Sequence, residues 1–355
     1  MSLRTTLITS AVALTIGGCN KKAETPAAPT PVAAEPAAPA EAEAAKPAEP
    51  EAAKPAEAEA AKTAEPTEPE AAPMPTGPAA LWQTEGFSTP ESVLVAGDVY
   101  YVSNINGAPT DKDDNGFISK LGPDGKIIEL KWISGENPNF ELNAPKGMAI
   151  LDGNLYVADI DRVMVFSAET GVLVATHIIT GATFLNDVFA TDSTIYVSDT
   201  AVGADFKPLG NPDVWALQPK AEGAGWTRLG LEAPGLPNGV FAMAGEGGDT
   251  VYYNGFDDKK LIAGYNRATS TALAPIALPA GSLDGLFADK NEDGSLRFFF
   301  SSWESGAVYQ SGKDGFAIVG AGMKGPADFG VDIARGAVIV PVFQENRVDA
   351  YAILK

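Results

Sequence analysis

Residues 237–255, PNGVFAMAGEGGDTVYYNG, contain two short apolar runs on either side of a glycine-rich turn. The first run opens with proline, a polar residue and glycine, and the second ends in a small polar pair. Residues 145–159, PKGMAILDGNLYVAD, repeat this order around an Asp-Gly turn. Apolar side chains alternate along the runs, which is typical of half-buried β-strands. Each segment therefore predicts a β-hairpin.

The same unit occurs four more times, at residues 90–104, 185–199, 283–302 and 326–342, and a third strand such as DRVMVFS (161–167) follows most copies. The polar residues that open the copies are separated by 55, 40, 52, 46 and 44 positions. Repeats of this length with three or four strands are typical of propeller blades. We therefore predict an all-β protein with one six-bladed β-propeller over residues 79–355. Residues 81–83 should supply the outer strand of the last blade, which closes the ring.

The start of the chain has the features of an exported lipoprotein. Arg4 and an apolar stretch precede Ile16-Gly17-Gly18-Cys19, which resembles a bacterial lipobox. We predict a signal peptide at 1–18, lipidation of Cys19 and a disordered Ala/Pro/Glu/Lys linker over 19–78. Asn20 follows the cysteine, and by resemblance to enteric sorting rules this points to the outer membrane. The expected location is the cell envelope, facing the periplasm or the cell surface.

The charge of the chain restricts its partners. The net charge is −21, and residues 79–355 contain 35 acidic and 19 basic side chains. Such a surface repels nucleic acid and anionic lipid headgroups. We expect no nucleic-acid partner, contact with the membrane only through the lipid anchor, and a monomer.

The first strand of a propeller blade lines the central channel, so the polar residues that open the six repeats should meet at one mouth. These residues are Glu91, Lys146, Asn186, Asn238, Asp284 and Asp328. Carboxylates and carboxamides without thiol or imidazole form an all-oxygen set, which favours Ca²⁺, with Mg²⁺, Mn²⁺ and Zn²⁺ as alternatives. Lys146 is able to replace a cation or to hold an anionic substrate. The alternative explanation is that Asn and Asp only stabilise the preceding turns.

The repeats resemble the six-bladed propellers of the gluconolactonase and regucalcin (SMP-30/LRE-like) family and, more loosely, the paraoxonases. The resemblance covers nearly all of residues 81–355. It implies that Glu91, Asn238 in PNGVF and Asp284 in LDGLF ligate one divalent metal, and that Asn186 in LNDVF contacts substrate. It further implies lactone hydrolysis with Asp284 as general base.

The chain departs from the family pattern in several places. Pro90 precedes the first-blade Glu91, whereas in the family a proline usually follows the glutamate, and Phe184 replaces a basic residue two positions before the substrate-contacting Asn186. A paraoxonase-type histidine pair is impossible because His177 is the only histidine; its outer-strand pattern predicts a structural role. Two acidic loops, 111–116 and 289–294, have calcium-loop spacing but lack the Glu at the twelfth position, and acidic hairpin turns have the same composition.

Two functions fit these features. The first is a divalent-metal-dependent hydrolase of a small lactone or related ester, with Asn186, Lys146 and Asp328 as substrate-binding residues beside the metal. The second is a non-catalytic, lipid-anchored binding or scaffold propeller of the cell envelope, which the long linker favours. A Ser or Cys triad is excluded because the chain has no histidine near a nucleophile.

Overall fold

The computed structural model describes residues 75–232, 234–291 and 293–355. The predicted signal peptide, Cys19 and the linker up to residue 74 lie outside the described residues. Within the described ranges the regular structure is β-strand, with one 3-10 turn at Phe343–Glu345 and no α-helix. None of the described segments is a helix long and apolar enough to cross a membrane.

The described strands form six antiparallel sheets, five with four strands and one with five. The first strand is β1 (Trp82–Glu85); blade 1 contains β2 (Pro90–Ala96), β3 (Val99–Asn104), β4 (Phe117–Leu121) and β5 (Ile127–Ser134), and blade 2 contains β6 (Pro145–Leu151), β7 (Asn154–Asp159), β8 (Arg162–Ser167) and β9 (Leu173–Ile178). Blade 3 contains β10 (Leu185–Ala190), β11 (Ile195–Asp199), β12 (Asp213–Leu217) and β13 (Thr227–Arg228), and blade 4 contains β14 (Pro237–Met243), β15 (Thr250–Gly255), β16 (Leu261–Asn266), β17 (Thr271–Ala272) and β18 (Ile276–Ala277). Blade 5 contains β19 (Leu283–Lys290), β20 (Leu296–Ser302), β21 (Ala307–Gly312) and β22 (Gly315–Ala321), and blade 6 contains β23 (Gly330–Asp332), β24 (Ala337–Val342) and β25 (Arg347–Ala352).

The sheets are the blades of a six-bladed β-propeller, as the repeats predict. Strand β1 pairs antiparallel with β25, with Trp82 opposite Ala350 and Glu85 opposite Arg347. The chain segment before blade 1 therefore forms the outer strand of blade 6, and the predicted closure of the ring is confirmed. Closing the ring in this way packs blade 6 against blade 1 and leaves only short strand edges.

The core is divided among the contacts between blades. Six clusters of buried apolar side chains each join one pair of neighbouring blades. The cluster that closes the ring packs Val93 and Tyr100 of blade 1 on Ile339 and Val348 of blade 6. Because every blade is packed on both sides, burial of apolar surface holds the inner strands around one axis.

The inner strands share an irregularity at their polar opening residue. In blades 1 to 5 the pairing with the second strand shifts immediately around that residue. A β-bulge of this kind redirects a side chain away from the regular pleat. The backbone N–H groups that the bulge releases are bound by the second strand: that of Gly239 donates to Asn254 Oδ1 at 2.9 Å, and that of Gly285 donates to Ser301 Oγ at 2.8 Å. The polar ends of the second strands therefore hold the bulges in place.

Candidate functional site

The bulges direct five of the six predicted residues into one cavity of about 530 Å³. Its polar floor consists of Glu91, Lys146, Asn186, Asn238 and Asp284, which come from the inner strands of five blades. All five are buried. Residues far apart in the sequence thus meet in one cavity, which is the arrangement that a ligand site requires.

Two carboxylates of the floor interact electrostatically. Burial raises the pKa of Glu91 well above its ordinary value, and the negative charge of Asp284 raises it further, while the Lys146 ammonium opposes the shift. Burial raises the pKa of Asp284 to about 7, although a hydrogen bond from Trp303 lowers it. Shifts of this size concentrate at functional sites because folding keeps charges in apolar surroundings there.

The two asparagines of the floor differ in their partners. Asn186 Nδ2 donates to Thr200 Oγ1 at 3.2 Å, and that hydroxyl donates to the carbonyl of Pro237 at 2.7 Å. This chain of hydrogen bonds ties blade 3 to blade 4 and orients the Asn186 amide. Asn238 Oδ1, in contrast, is buried and accepts no hydrogen bond from any described residue.

Lys146 is almost fully buried, with 1% of its surface exposed. Its Nζ donates to the carbonyl of Ala144 at 3.0 Å and lies 4.6 Å from the centre of the Phe184 ring. Burial lowers the pKa of Lys146, and the charges of Glu91 and Asp159 oppose this shift. The ammonium therefore belongs to the floor, where it contacts one carbonyl and one aromatic face.

Asp328 lies outside this cavity. In blade 6 the acidic residue comes one position later than in the other blades, because Ala327 occupies the position of the opening polar residue. Asp328 therefore aligns with Asp187 and with the glycines of the N-G and D-G motifs. Asp328 Oδ2 accepts a 2.5 Å hydrogen bond from Ser92 Oγ. Together with Asp187 it lines a smaller cavity further along the inner strands. The repeat spacing predicted that all six residues meet, and the structure brings together five of them.

The floor fits a divalent cation by the chemistry of its donors. Glu91 Oε2, Asn238 Oδ1 and Asp284 Oδ1 are buried and have no hydrogen-bond partner among the described residues. Buried polar atoms without a partner are costly, and a bound ion is one way to satisfy them. They belong to the three residues predicted as metal ligands. In the described part of the chain no three His, Cys, Asp or Glu side chains form a metal-binding cluster, so the fit depends on the carboxamide together with two carboxylates.

The rest of the cavity is an apolar wall that the sequence reasoning missed. Its members are Ile105, Pro109, Phe184, Val202, Phe206, Leu236, Phe256, Trp303 and Phe343. Four of them immediately follow the second strand of a blade. The corresponding sequence signal is the apolar residue directly after the second strand, as in Ser301-Ser302-Trp303.

Other candidates from the sequence lie away from the cavity. His177 is in the outer strand β9, and its ring packs edge-on to Trp226 at 6.2 Å. In the loop 289–294, Asp289 pairs with Arg297 at 2.5 Å and Asp293 accepts a hydrogen bond from the Ser295 N–H. In the loop 111–116, Asp114 accepts the N–H of Leu142 at 2.8 Å. These carboxylates stabilise turns and ion pairs locally.

No protein-family model matches this chain, and no curated protein sequence is significantly similar to it.

Proposed function

We propose that this protein is a divalent-metal-dependent hydrolase of small lactones or related esters, with its site at the polar floor of the cavity. The observation that carries the proposal is the set of unpaired, buried oxygens on Glu91, Asn238 and Asp284, contributed by three different blades. The same residues occupy the ligand positions implied by the resemblance to the gluconolactonase and regucalcin propellers. Ca²⁺ is the cation that we expect, because oxygen donors from carboxylates and carboxamides suit a hard ion.

When bound, a divalent cation supplies polarisation of the substrate carbonyl and a lower pKa for a nearby water. Asp284 is the proton acceptor of the proposed reaction. Its Oδ2 accepts the indole N–H of Trp303 at 2.8 Å, so Oδ1 is the atom that would both contact the cation and accept the proton. In the metal-free protein burial raises the pKa of Asp284 to about 7, and a bound cation would favour the ionised form that accepts a proton.

The remaining floor residues position the substrate. Asn186, fixed by Thr200, offers its carboxamide to the ester. In hydrolysis, water attacks the carbonyl carbon, Asp284 takes the proton from that water, the ring C–O bond breaks and the proton passes to the leaving oxygen. The product is a hydroxy acid, and all atoms are accounted for by the ester and one water.

The test is a metal analysis of the purified full chain together with turnover assays on a small panel of lactones. We expect about one divalent ion per chain, loss of turnover with a chelator and recovery on adding the metal. Asp284→Asn, which keeps an acceptor for Trp303, should abolish turnover without unfolding the protein. The matched control is Asp152→Asn, because Asp152 is exposed on a hairpin turn with φ of 51° and pairs with Lys220.

The non-catalytic binding propeller remains the competing function. Unchanged turnover in the presence of chelator, or turnover by Asp284→Asn equal to that of the wild type, contradicts the hydrolase proposal. A folded protein that hydrolyses none of the lactones with any of Ca²⁺, Mg²⁺, Mn²⁺ or Zn²⁺ supports the tethered binding module instead.

A further inference from the structure

The apolar wall is built by a repeated backbone feature. In each of five blades, the residue directly after the second strand donates its backbone N–H to a carbonyl near the start of the inner strand. The accepting residue lies two positions before the opening polar residue, or before Ala327 in blade 6. The pairs are Ile105 to Thr89, Thr200 to Phe184, Phe256 to Leu236, Trp303 to Ser282 and Phe343 to Gly325. The bond repeats in five blades, so the wall is a regular part of the fold and its side chains face the same space as the polar floor.

The aromatic members of the wall pack on one another. Phe256 and Trp303 have ring centres 5.5 Å apart at 89°, and Trp303 and Phe343 have centres 5.3 Å apart at 50°. Phe184 and Phe206, which also line the cavity, pack edge-on with ring centres 6.2 Å apart. Mutual packing of this kind fixes the side-chain rotamers, so the wall is preorganised for an apolar ligand. Phe206 is 51% exposed and therefore stands at the rim.

Polar groups are segregated to the floor. Of the described residues that line the cavity, Thr200 is the one polar member outside the floor, and its hydroxyl already donates to Pro237. The Lys146 ammonium belongs to the floor, where it donates to the carbonyl of Ala144 and lies 4.6 Å from the centre of the Phe184 ring. The hydroxyl groups of a sugar lactone placed against this wall would lose water without gaining partners, which is costly.

We infer that the substrate is an uncharged lactone or ester that carries an apolar chain or ring, with the ester group at the floor and the apolar part along the wall toward Phe206. This inference rests on the proposed hydrolase function and names its substrate class. The inferred substrate differs from a sugar lactone, the kind of substrate after which gluconolactonases are named. The volume of about 530 Å³ is within the range of sites that hold small organic ligands.

The first experiment measures kcat/KM of the full chain for γ-lactones with progressively longer alkyl chains, from γ-butyrolactone to γ-decalactone, and for glucono-δ-lactone. Burying a methylene is worth about 0.8 kcal/mol, so each added methylene should raise kcat/KM about three- to fourfold until the cavity is filled. Glucono-δ-lactone should be hydrolysed more slowly than γ-decalactone. Values of kcat/KM that do not change with chain length, while turnover persists, overturn the inference and leave the hydrolase proposal intact.

A pair of variants in one surface loop locates the effect. Phe206→Ala should lower kcat/KM for γ-decalactone several-fold more than kcat/KM for γ-butyrolactone, because only the longer chain reaches the rim. Leu209→Ala is the matched control, since Leu209 is 67% exposed and lies outside the cavity. Equal loss for both lactones, or an equal effect of the control, contradicts the assigned position of the chain.

A binding measurement separates the two proposals. 2-Hexyltetrahydrofuran keeps the ring and alkyl chain of γ-decalactone but has no carbonyl, so calorimetry on chelator-treated protein reports the wall alone. We expect saturable binding with a negative heat-capacity change, weakened by Phe206→Ala. Such binding without turnover of any lactone supports the apolar ligand class and overturns the hydrolase proposal. Absence of binding overturns the substrate class.

Discussion

The indole Nε1 of Trp303 donates a 2.8 Å hydrogen bond to Oδ2 of Asp284, so one oxygen of this carboxylate is engaged and the other, Oδ1, is left without a partner among the described residues. Trp303 follows the second strand of blade 5 and Asp284 opens its inner strand. The hydrogen bond therefore joins the apolar wall to the polar floor within one blade, and it stabilises the ionised form of the carboxylate.

Trp303→Phe should raise the pKa of Asp284 further, because the ring is retained while the N–H that lowers this pKa is lost. We expect the acid limb of the kcat/KM profile against pH to move to higher pH and activity at pH 7 to fall several-fold. Trp226→Phe is the control, since Trp226 Nε1 is buried without a partner and packs on His177 in an outer strand. An unchanged acid limb in Trp303→Phe would show that the indole only fills space.

The protein stripped of metal should lose stability as the pH rises. Burial raises the pKa of Asp284 and of Asp187 to about 7, from ordinary values near 3.8. A carboxyl group with a raised folded-state pKa contributes stability below its unfolded pKa, and that contribution is lost as the pH rises through the folded pKa. Urea unfolding in chelator between pH 4 and 8 should show a decrease of about 1–4 kcal/mol. Asp284→Asn should reduce this slope; an equal or steeper slope in the variant would contradict the assignment.

Metal affinity should increase with pH over the same interval. The carboxylates of Glu91 and Asp284 must ionise before they bind a cation, and burial raises both pKa values. Calorimetric titration with Ca²⁺ should therefore show tighter binding at pH 8 than at pH 6, with release of protons. Asn238→Leu should weaken binding at least about tenfold, because even the loss of an outer partner of a metal ligand costs about 10- to 100-fold. Binding that does not depend on pH would place the ion elsewhere.

Gly239→Ala should destabilise the fold. A Cβ atom on Gly239 would lie 2.3 Å from the carbonyl oxygen of Asp284, in the neighbouring inner strand. Neither backbone can move without disturbing the bulges, so we expect a loss of about 1–3 kcal/mol or more in urea unfolding. Gly203→Ala is the control, since the nearest atom would be an ordinary 3.5 Å away. Equal stability of the two variants would show that the inner strands leave room for a Cβ atom at residue 239.

Lipidation of Cys19 stays a prediction from the lipobox resemblance. In cells fed a labelled fatty acid, the full chain should incorporate the label and partition into a detergent phase. Cys19→Ser should abolish both, because it removes the single thiol of the chain. Labelling that persists in Cys19→Ser would disprove attachment at this residue.

The order of residues along the chain was sufficient to predict the six blades, the strand that closes the ring and the five side chains of the floor. A strand pattern has a period of two, and the proline or leucine and the polar residue that open the inner strands of blades 1 to 5 are local features that recur in the sequence. Residues 81–83 were predicted to form the outer strand of the last blade, and the pairing of β1 with β25 confirms this prediction.

The three-dimensional arrangement was needed for the rest. Blade 6 lacks a polar residue at its opening position, and its Asp328 comes one residue later. Because a shift of one residue along a strand turns a side chain to a different environment, Asp328 lines the smaller cavity with Asp187 and does not line the cavity that contains Asp284. The apolar wall and the hydrogen bond from Trp303 to Asp284 depend on packing between loops and strands that are separated in sequence. Local periodicity determines which residues form strands, whereas the partners of a buried side chain depend on how the blades close around the axis.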